Sequence, residues 1–396
     1  MRLSSNPPVG GSGPDRSTVS VALVGFVALG LPDGMLGVAW PSIRSTFGQP
    51  LAGLGVVLLG LTCGYLAGSA ASGFVEARFG TAAVLAAGFG ASACAMLAFA
   101  TAPGWPLFVA GALVLGLGAG SVDAGANAYV ALEHGVRPLN LLHACYGLGA
   151  ALGPAVMTTL LIAGAVWRLA YVGMVGAELA LLAAVAFTWR SWSRGRRSSA
   201  PNRRPGVAVP LALVAVSLAM FFVYTAVEVG AGQWSYTFLT RARAAPIQAA
   251  GLAVSGYWTG LTLGRLAAAA AGASVRPLRL LHASVALMVG ALAIYWWGGH
   301  WLPVELLALA AAGFGLGPIF PALVALTPAR VGPAAASRVV GFQIAAASAG
   351  GSLGPAGIGV VLQAGGPGLL TPCLVAGAAV LASLHLATSL LMREPA

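Results

Sequence analysis

The sequence predicts an all-α membrane protein of twelve transmembrane helices in two pseudo-symmetric six-helix bundles. Composition is the first reason: the 396 residues are 59% hydrophobic and 7% charged, too little polar surface for a water-soluble fold. Apolar runs of about 20 residues, the length that crosses a bilayer as a helix, recur along the whole chain. The second half also repeats the first. Gly60, Gly64 and Gly68 return as Gly256, Gly260 and Gly264, Asp33 returns as Glu228, and Arg137 to Gly153-Pro154 returns as Arg338 to Gly354-Pro355. A spacing near 200 residues is too long for a solenoid and marks a duplicated half. Helices must be the spanning element, because they satisfy their own backbone polar groups in lipid. The alternating strands of an outer-membrane barrel are absent from the pattern.

Taken in order, residues 1–18 are rich in Ser, Pro and Gly and read as a disordered tail. The apolar stretch behind them is too long for a secretory signal and lacks a small-residue cleavage site, so it stays in the membrane as the first span. Spans are expected at 19–43, 51–72, 81–101, 105–131, 140–163 and 168–189, which make an N-terminal bundle over 19–189. Their counterparts are expected at 208–239, 247–270, 278–297, 302–327, 337–362 and 368–391, a C-terminal bundle over 207–392. Between them, residues 190–206 carry "RSWSRGRRSSAPNRRP", a basic linker suited to resting on anionic lipid.

Basic residues set the orientation. All twenty are arginines, and the span assignment puts only Arg44, Arg168, Arg241 and Arg243 on one side and the other sixteen, Arg265 among them, on the opposite side. The arginine-rich side is cytoplasmic, and with an even number of spans both termini lie there. The expected location is the inner membrane of a bacterial cell, multi-pass. The net charge of +11 therefore reflects topology, and nucleic acid is not an expected partner. Cys63, Cys94, Cys145 and Cys373 lie inside apolar runs without metal or disulfide spacing and read as inert small hydrophobes; no metal or other cofactor is expected.

Acidic residues inside apolar spans carry the chemistry. Asp33, Asp123, Glu178, Glu228 and Glu305 each sit within or near the end of one, where a carboxylate costs about 2.5–3.5 kcal/mol at a helix centre. Removal from water favours a carboxyl's protonated form, which suits such groups to carry protons. Asp33 lies in Pro-Asp-Gly, which can loosen the first span, and Glu228 holds the equivalent place in the seventh with Tyr224 one turn before it. The fourth span reads "GLGAGSVDAGANAYVALEHG", placing Asp123 and Asn127 on one face. The fifth begins "RPLNLLHACYGLGAALGP", placing His143 and Tyr146 on one face. Acid, amide, imidazole and phenol on adjacent helices can bind a hydroxyl-rich molecule or relay a proton; they can equally hold helices together by hydrogen bonds. Gln233 and Trp234, just beyond Glu228, are candidate solute contacts. Glu305 reads as interfacial, Glu178 as part of a peripheral scaffold helix, His282 and His385 as structural, and Trp296, Trp297 and Trp301 as an aromatic belt. The glycine ladders of the second and eighth spans read as the sliding contact between bundles.

Twelve spans, a basic middle loop and a two-half repeat resemble the major facilitator superfamily over nearly the whole chain. Its usual loop signature between the second and third helices is kept in part by "GFVEARFGTA": Gly73, Arg78 and Gly80 match, the acid is displaced to Glu76, and Thr81-Ala82 replace the basic pair. Asp33 in the first span, the acid followed by small residues and Asn in the fourth, and the Gly-rich fifth look like the fucose permease-like branch of sugar–proton symporters. By that resemblance, proton coupling and sugar recognition fall on Asp33 and Asp123. Gly149-x-x-x-Gly153-Pro154 resembles the front of a motif of drug–proton antiporters, but it recurs at Gly350, Gly354 and Pro355, which favours a shared packing role.

The expected function is secondary active transport of a small polar solute, a sugar by resemblance, by alternating access between the bundles. Asp33, Asp123 and Glu228 are the expected proton-coupling residues, with Asn127, His143, Tyr146, Tyr224, Gln233 and Trp234 contacting the solute. Protons are the expected coupling ion, with sodium open, and the chain is expected to be monomeric. A proton-driven exporter of drugs or hydrophobic metabolites is the alternative within the class, and a transporter-like receptor without flux the alternative outside it. No HExxH, GxSxG or Walker pattern supports an enzyme or a primary pump.

Overall fold

The computed structural model describes residues 16–133, 136–192, 211–298 and 301–391. Most of the expected linker and tail lies outside the described residues. Thirteen α-helices are described: α1 Arg16–Thr46, α2 Leu54–Phe79, α3 Thr81–Thr101, α4 Trp105–Glu133, α5 Val136–Ile162, α6 Arg168–Phe187, α7 Leu211–Arg241, α8 Ile247–Ala271, α9 Pro277–Trp297, α10 Leu302–Leu316, α11 Ile319–Val331, α12 Pro333–Gly365 and α13 Leu370–Leu391. No strand occurs among the described residues. Eleven spans are long and apolar enough to cross a membrane, one of them being α10 and α11 taken together as Leu302–Val331. The break between α10 and α11 falls at Gly317-Pro318, where proline withdraws a backbone donor. The 25-residue α8 is outside the eleven, because Gln248, Thr262 and above all Arg265 lower its hydropathy.

Two groups of helices pack as halves. In the first, α2 lies on α4, α1 on α5, and α3 on both α4 and α6; in the second, α7 lies on α12 and α13, and α10 on α8 and α9. Glycine fixes the closest approaches, and the repeat is visible in the contacts themselves. Side chains at Gly149 and Gly153 would collide with the Val27 and Leu31 carbonyls of α1. Those at Gly350 and Gly354 would collide with the equivalent α7 backbone at Phe222 and Ala226. The Gly-x-x-x-Gly-Pro motif is thus a packing device in both halves. The ladders do not slide between halves, contrary to expectation. Gly64 and Gly68 meet the α4 carbonyls of Leu113 and Leu117, and Gly260 and Gly264 meet Ala310 and Phe314 of α10. Each ladder belongs to its own half because its flat face is matched by glycines on the facing helix, Gly116 and Gly120 in one case and Gly313 and Gly317 in the other.

The seam between halves is formed by α5 on α8, α2 on α12 and α1 on α7. Near the ends of α1 and α7 it is latched: Gly37 lies against the Gln233 backbone, and the Ala52 N–H donates to Gln363 Oε1 at 2.9 Å. Farther out, Gly251 of α8 abuts Thr158 of α5. We call this the latched end; the opposite end carries the start of α1 and the end of α13.

Several sequence expectations change. Glu305, in the first turn of α10, is buried within the protein, and Arg243 neutralises it at 2.7 Å. Glu178 is buried in α6, and one of its carboxylate oxygens has no partner. Cys63 and Cys94 lie exposed on the helix surface rather than inside a core, and all four cysteines are free. Trp296 and Trp297 stack, and Trp297 and Trp301 are exposed.

Candidate functional site

Asp33 stands midway along α1, which runs unbroken through Pro32. Gly30 and Gly34 allow the α5 backbone to approach at Tyr146 and Ala150, and this contact delivers the Tyr146 hydroxyl to Asp33 Oδ2 as a hydrogen-bond donor. From the other half, Gln233 Nε2 donates to the Asp33 backbone carbonyl at 2.9 Å. One residue thus binds both its own half and the seam.

Asp123 is held by neutral donors. The Tyr65 hydroxyl of α2 donates to Oδ2 at 2.6 Å, and Asn127 Nδ2, one turn along α4, donates to Oδ1 at 3.0 Å. The Asn127 carbonyl oxygen is left buried without a partner. His143, exposed on α5, lies within electrostatic reach of both Asp123 and Arg265.

The second half answers with an ion pair. Arg265 Nη2 of α8 donates to Glu228 Oε1 of α7 at 3.1 Å, with side chains 30% and 10% exposed. Tyr257 donates to the Glu228 backbone carbonyl at 2.7 Å. The Tyr224 hydroxyl lies within electrostatic reach of Glu228 and Arg265 without a well-formed hydrogen bond to either. The two sets meet at Tyr146, which senses Asp33, Glu228 and Arg265 together. Asp33, Asp123, Asn127, Tyr146 and Arg265 are each partly exposed, whereas Glu228 is buried.

Three expected site residues are buried, Tyr224 of α7 among them. Trp234 is fully buried within the second half, its indole N–H donating to the Pro355 carbonyl at 2.9 Å, so in this conformation it packs instead of lining the space. Gln233 is 3% exposed and serves the seam. Three residues were missed. Arg265, counted for topology with the cytoplasmic-side arginines, sits inside α8 and faces Glu228; its position directly after Gly264 of the ladder is the available signal. Tyr65 and Tyr257 gave none, because a lone aromatic in an apolar helix is ordinary.

Repeated helical halves, spanning-length helices and ionisable groups gathered on the seam define a polytopic membrane protein with an interior polar site. The chain matches the Major Facilitator Superfamily model over residues 22–242 and belongs to that family. A Saccharomyces cerevisiae protein, "Bypass of stop codon protein 6", is 23% identical over 276 residues, covering 63% of this chain and 55% of its own length, so the chain spans about half of that relative. Among solved structures, a mutant of the nucleoside transporter NupG aligns with a TM-score of 0.74 and 14% identity, covering 95% of this chain and all of that one. A mutant of the E. coli fucose:proton symporter aligns with a TM-score of 0.64 and 16% identity, covering 96% and 98%. These likenesses show the fold; both solved relatives are transporters and not enzymes.

Proposed function

We propose that the protein is a proton-coupled secondary transporter that carries a small polar solute, a sugar or similarly hydroxyl-rich molecule, through the seam by alternating access. The observation that carries this reading is the gathering of Asp33 with the Glu228–Arg265 pair about Tyr146, and of Asp123 and Arg265 about His143. Asp33 and Asp123 are the proton carriers, and Glu228 with Arg265 sets the charge of the space. Asn127, His143 and Tyr146 are the solute contacts; Tyr224, Gln233 and Trp234, buried in this conformation, join them as the seam opens. The polar lining favours a polar solute over the hydrophobic cargo of a drug exporter. Protons are favoured over sodium because the carboxylate oxygens are met by phenol and amide donors, whereas a hard cation needs a cage of acceptor oxygens.

In this reading α8 is the twelfth span, its arginine tolerated because it faces the interior and is paired. Moving Arg265 out of the loop count leaves the arginine asymmetry intact, so both termini lie in the cytoplasm and the latched end faces outward. The bacterial inner membrane and a monomeric state complete the proposal. Cysteine introduced at Ser45 and at Ser274, each in a cysteine-free background, should label from opposite faces of the membrane; labelling of both from one face overturns the orientation.

The deciding experiment is flux in proteoliposomes against a panel of sugars, nucleosides and hydrophobic drugs, with imposed pH or sodium gradients. Accumulation of a polar solute driven by the pH gradient is expected. Drug efflux alone, sodium dependence, or binding without flux would each overturn a named part of the reading.

A further inference from the structure

Four arginines lie at the latched end, and the structure treats them as two kinds. Arg168 donates to the Ala100 and Ala102 carbonyls at 2.9 and 2.7 Å, and Arg243 is paired with Glu305. Arg44 and Arg241 have no carboxylate partner among the described residues; Arg44 spends only its Nε, on the Gln49 carbonyl at 3.2 Å. These two sit in the last turns of α1 and α7 and come from opposite halves. They line one cavity of about 510 Å³ together with Thr237 and Gln363, and no acidic residue lines it. The Thr237 hydroxyl is buried there without a hydrogen-bond partner. Gln363 also forms the Ala52 latch, so the cavity adjoins the contact that shuts this end.

Two guanidiniums on one cavity repel each other, the more strongly as their separation falls below the screening length of about 8 Å at physiological salt. Each also presents unused donors in a fork that matches tetrahedral or planar oxyanions. A ligand that joins both arginines joins the two halves, and it can do so only while the ends of α1 and α7 are close. Such a ligand must shift the population toward the latched state. We propose that this cavity is a binding site for a small phosphate-type oxyanion, bridged by Arg44 and Arg241 with the Thr237 hydroxyl as a further donor, whose occupancy holds the latched end shut. The oxyanion is either free in solution or the phosphate of a lipid headgroup.

The test reads distance and not transport, so it stands or falls separately from the proposed solute and coupling ion. Spin labels at Ser45→Cys and Ala364→Cys, in the full chain with the four native cysteines replaced, report opening of this end by pulsed electron resonance. In phosphate-free detergent, adding inorganic phosphate should raise the closed-to-open ratio about 5-fold or more relative to chloride at equal ionic strength. Nanodiscs containing phosphatidylglycerol, without free phosphate, form the second arm. Closure with free phosphate assigns the ligand to solution; closure only in the nanodiscs assigns it to lipid. The Arg44→Gln/Arg241→Gln variant should lose the response while keeping the ligand-free distance distribution. Thr237→Val, which preserves shape, should weaken the response independently. No closure in either arm, or equal closure in the double glutamine variant, overturns the proposal.

Discussion

The two halves share a backbone plan and differ in what they place on it. In the first, α2 and α4 meet where Gly116 and Gly120 face the Leu61 and Tyr65 carbonyls; in the second, Gly313 and Gly317 face Tyr257 and Leu261 in the same register. Carried along that register, Asp123 corresponds to Phe320, Tyr65 to Leu261, and Ser69 to Arg265. The first half therefore holds a carboxylate among neutral donors. The second fills the same place with Phe320 packed on Phe221 and Tyr224, and puts its charge in the Glu228–Arg265 pair beside it. A carboxylate held by neutral donors can gain and lose a proton without stranding a buried cation. An ion pair cannot, because protonating one member leaves the other uncompensated. Under the proposed function the contrast is a division of labour: proton exchange on the first half, fixed charge on the second.

The largest expected effect tests the first member of this contrast. Asp123→Asn keeps the shape and most hydrogen bonding, so the protein should fold, exchange solute at equilibrium, and lose concentrative uptake altogether. Wild-type accumulation would remove Asp123 from coupling and erase the contrast. Packing comes next and should be alike in the two halves. Gly149→Leu and Gly350→Leu each force a side chain into the backbone of a neighbouring helix, at a cost of about 3 kcal/mol, seen as similar falls in unfolding temperature in detergent. A large loss in only one half would mean that the shared backbone plan does not carry shared stability.

The ion pair should show its character through rescue. Arg265→Ala strands Glu228 and should destabilise the protein by about 2 kcal/mol, less than a fully buried pair because Arg265 is partly exposed. Glu228→Gln combined with Arg265→Met should restore most of that stability without restoring transport. Failure of the pair to rescue would show that Arg265 acts through contacts other than Glu228. The smallest effect is expected at the meeting point. Tyr146→Phe removes one hydrogen bond to a carboxylate, worth about 1.5 kcal/mol, and should weaken apparent solute affinity roughly tenfold, with an altered pH dependence.

Much of this was legible before any coordinates. Apolar run length and the repeat located the helices, and the rarity of acids in apolar spans singled out Asp33, Asp123 and Glu228, because each signal is local or periodic. Arg265 was read only as a topology charge because its partner lies 37 positions earlier on another helix, beyond the reach of a local or periodic signal. Trp234 was misjudged for a related reason. Proximity to Glu228 along α7 does not give the side a ring faces, and one residue of helix turns it from the seam to the Pro355 carbonyl. The ladders were assigned to the wrong interface because glycine spacing announces a close contact without naming the helix that makes it.

Those glycine contacts explain how little sequence this architecture requires. Where helices touch through their main chains, as α1 and α5 do at Gly30, Gly34, Gly149 and Gly153, the contact asks only that a residue lack a side chain. The partner atom is a carbonyl oxygen that every amino acid supplies. Substitution elsewhere on the helix surface, against lipid, is then nearly unconstrained as long as it stays apolar. A chain built this way can drift until 14% of its residues match a solved relative and still superpose at a TM-score of 0.74, since what is inherited is a set of near approaches and not a set of side chains.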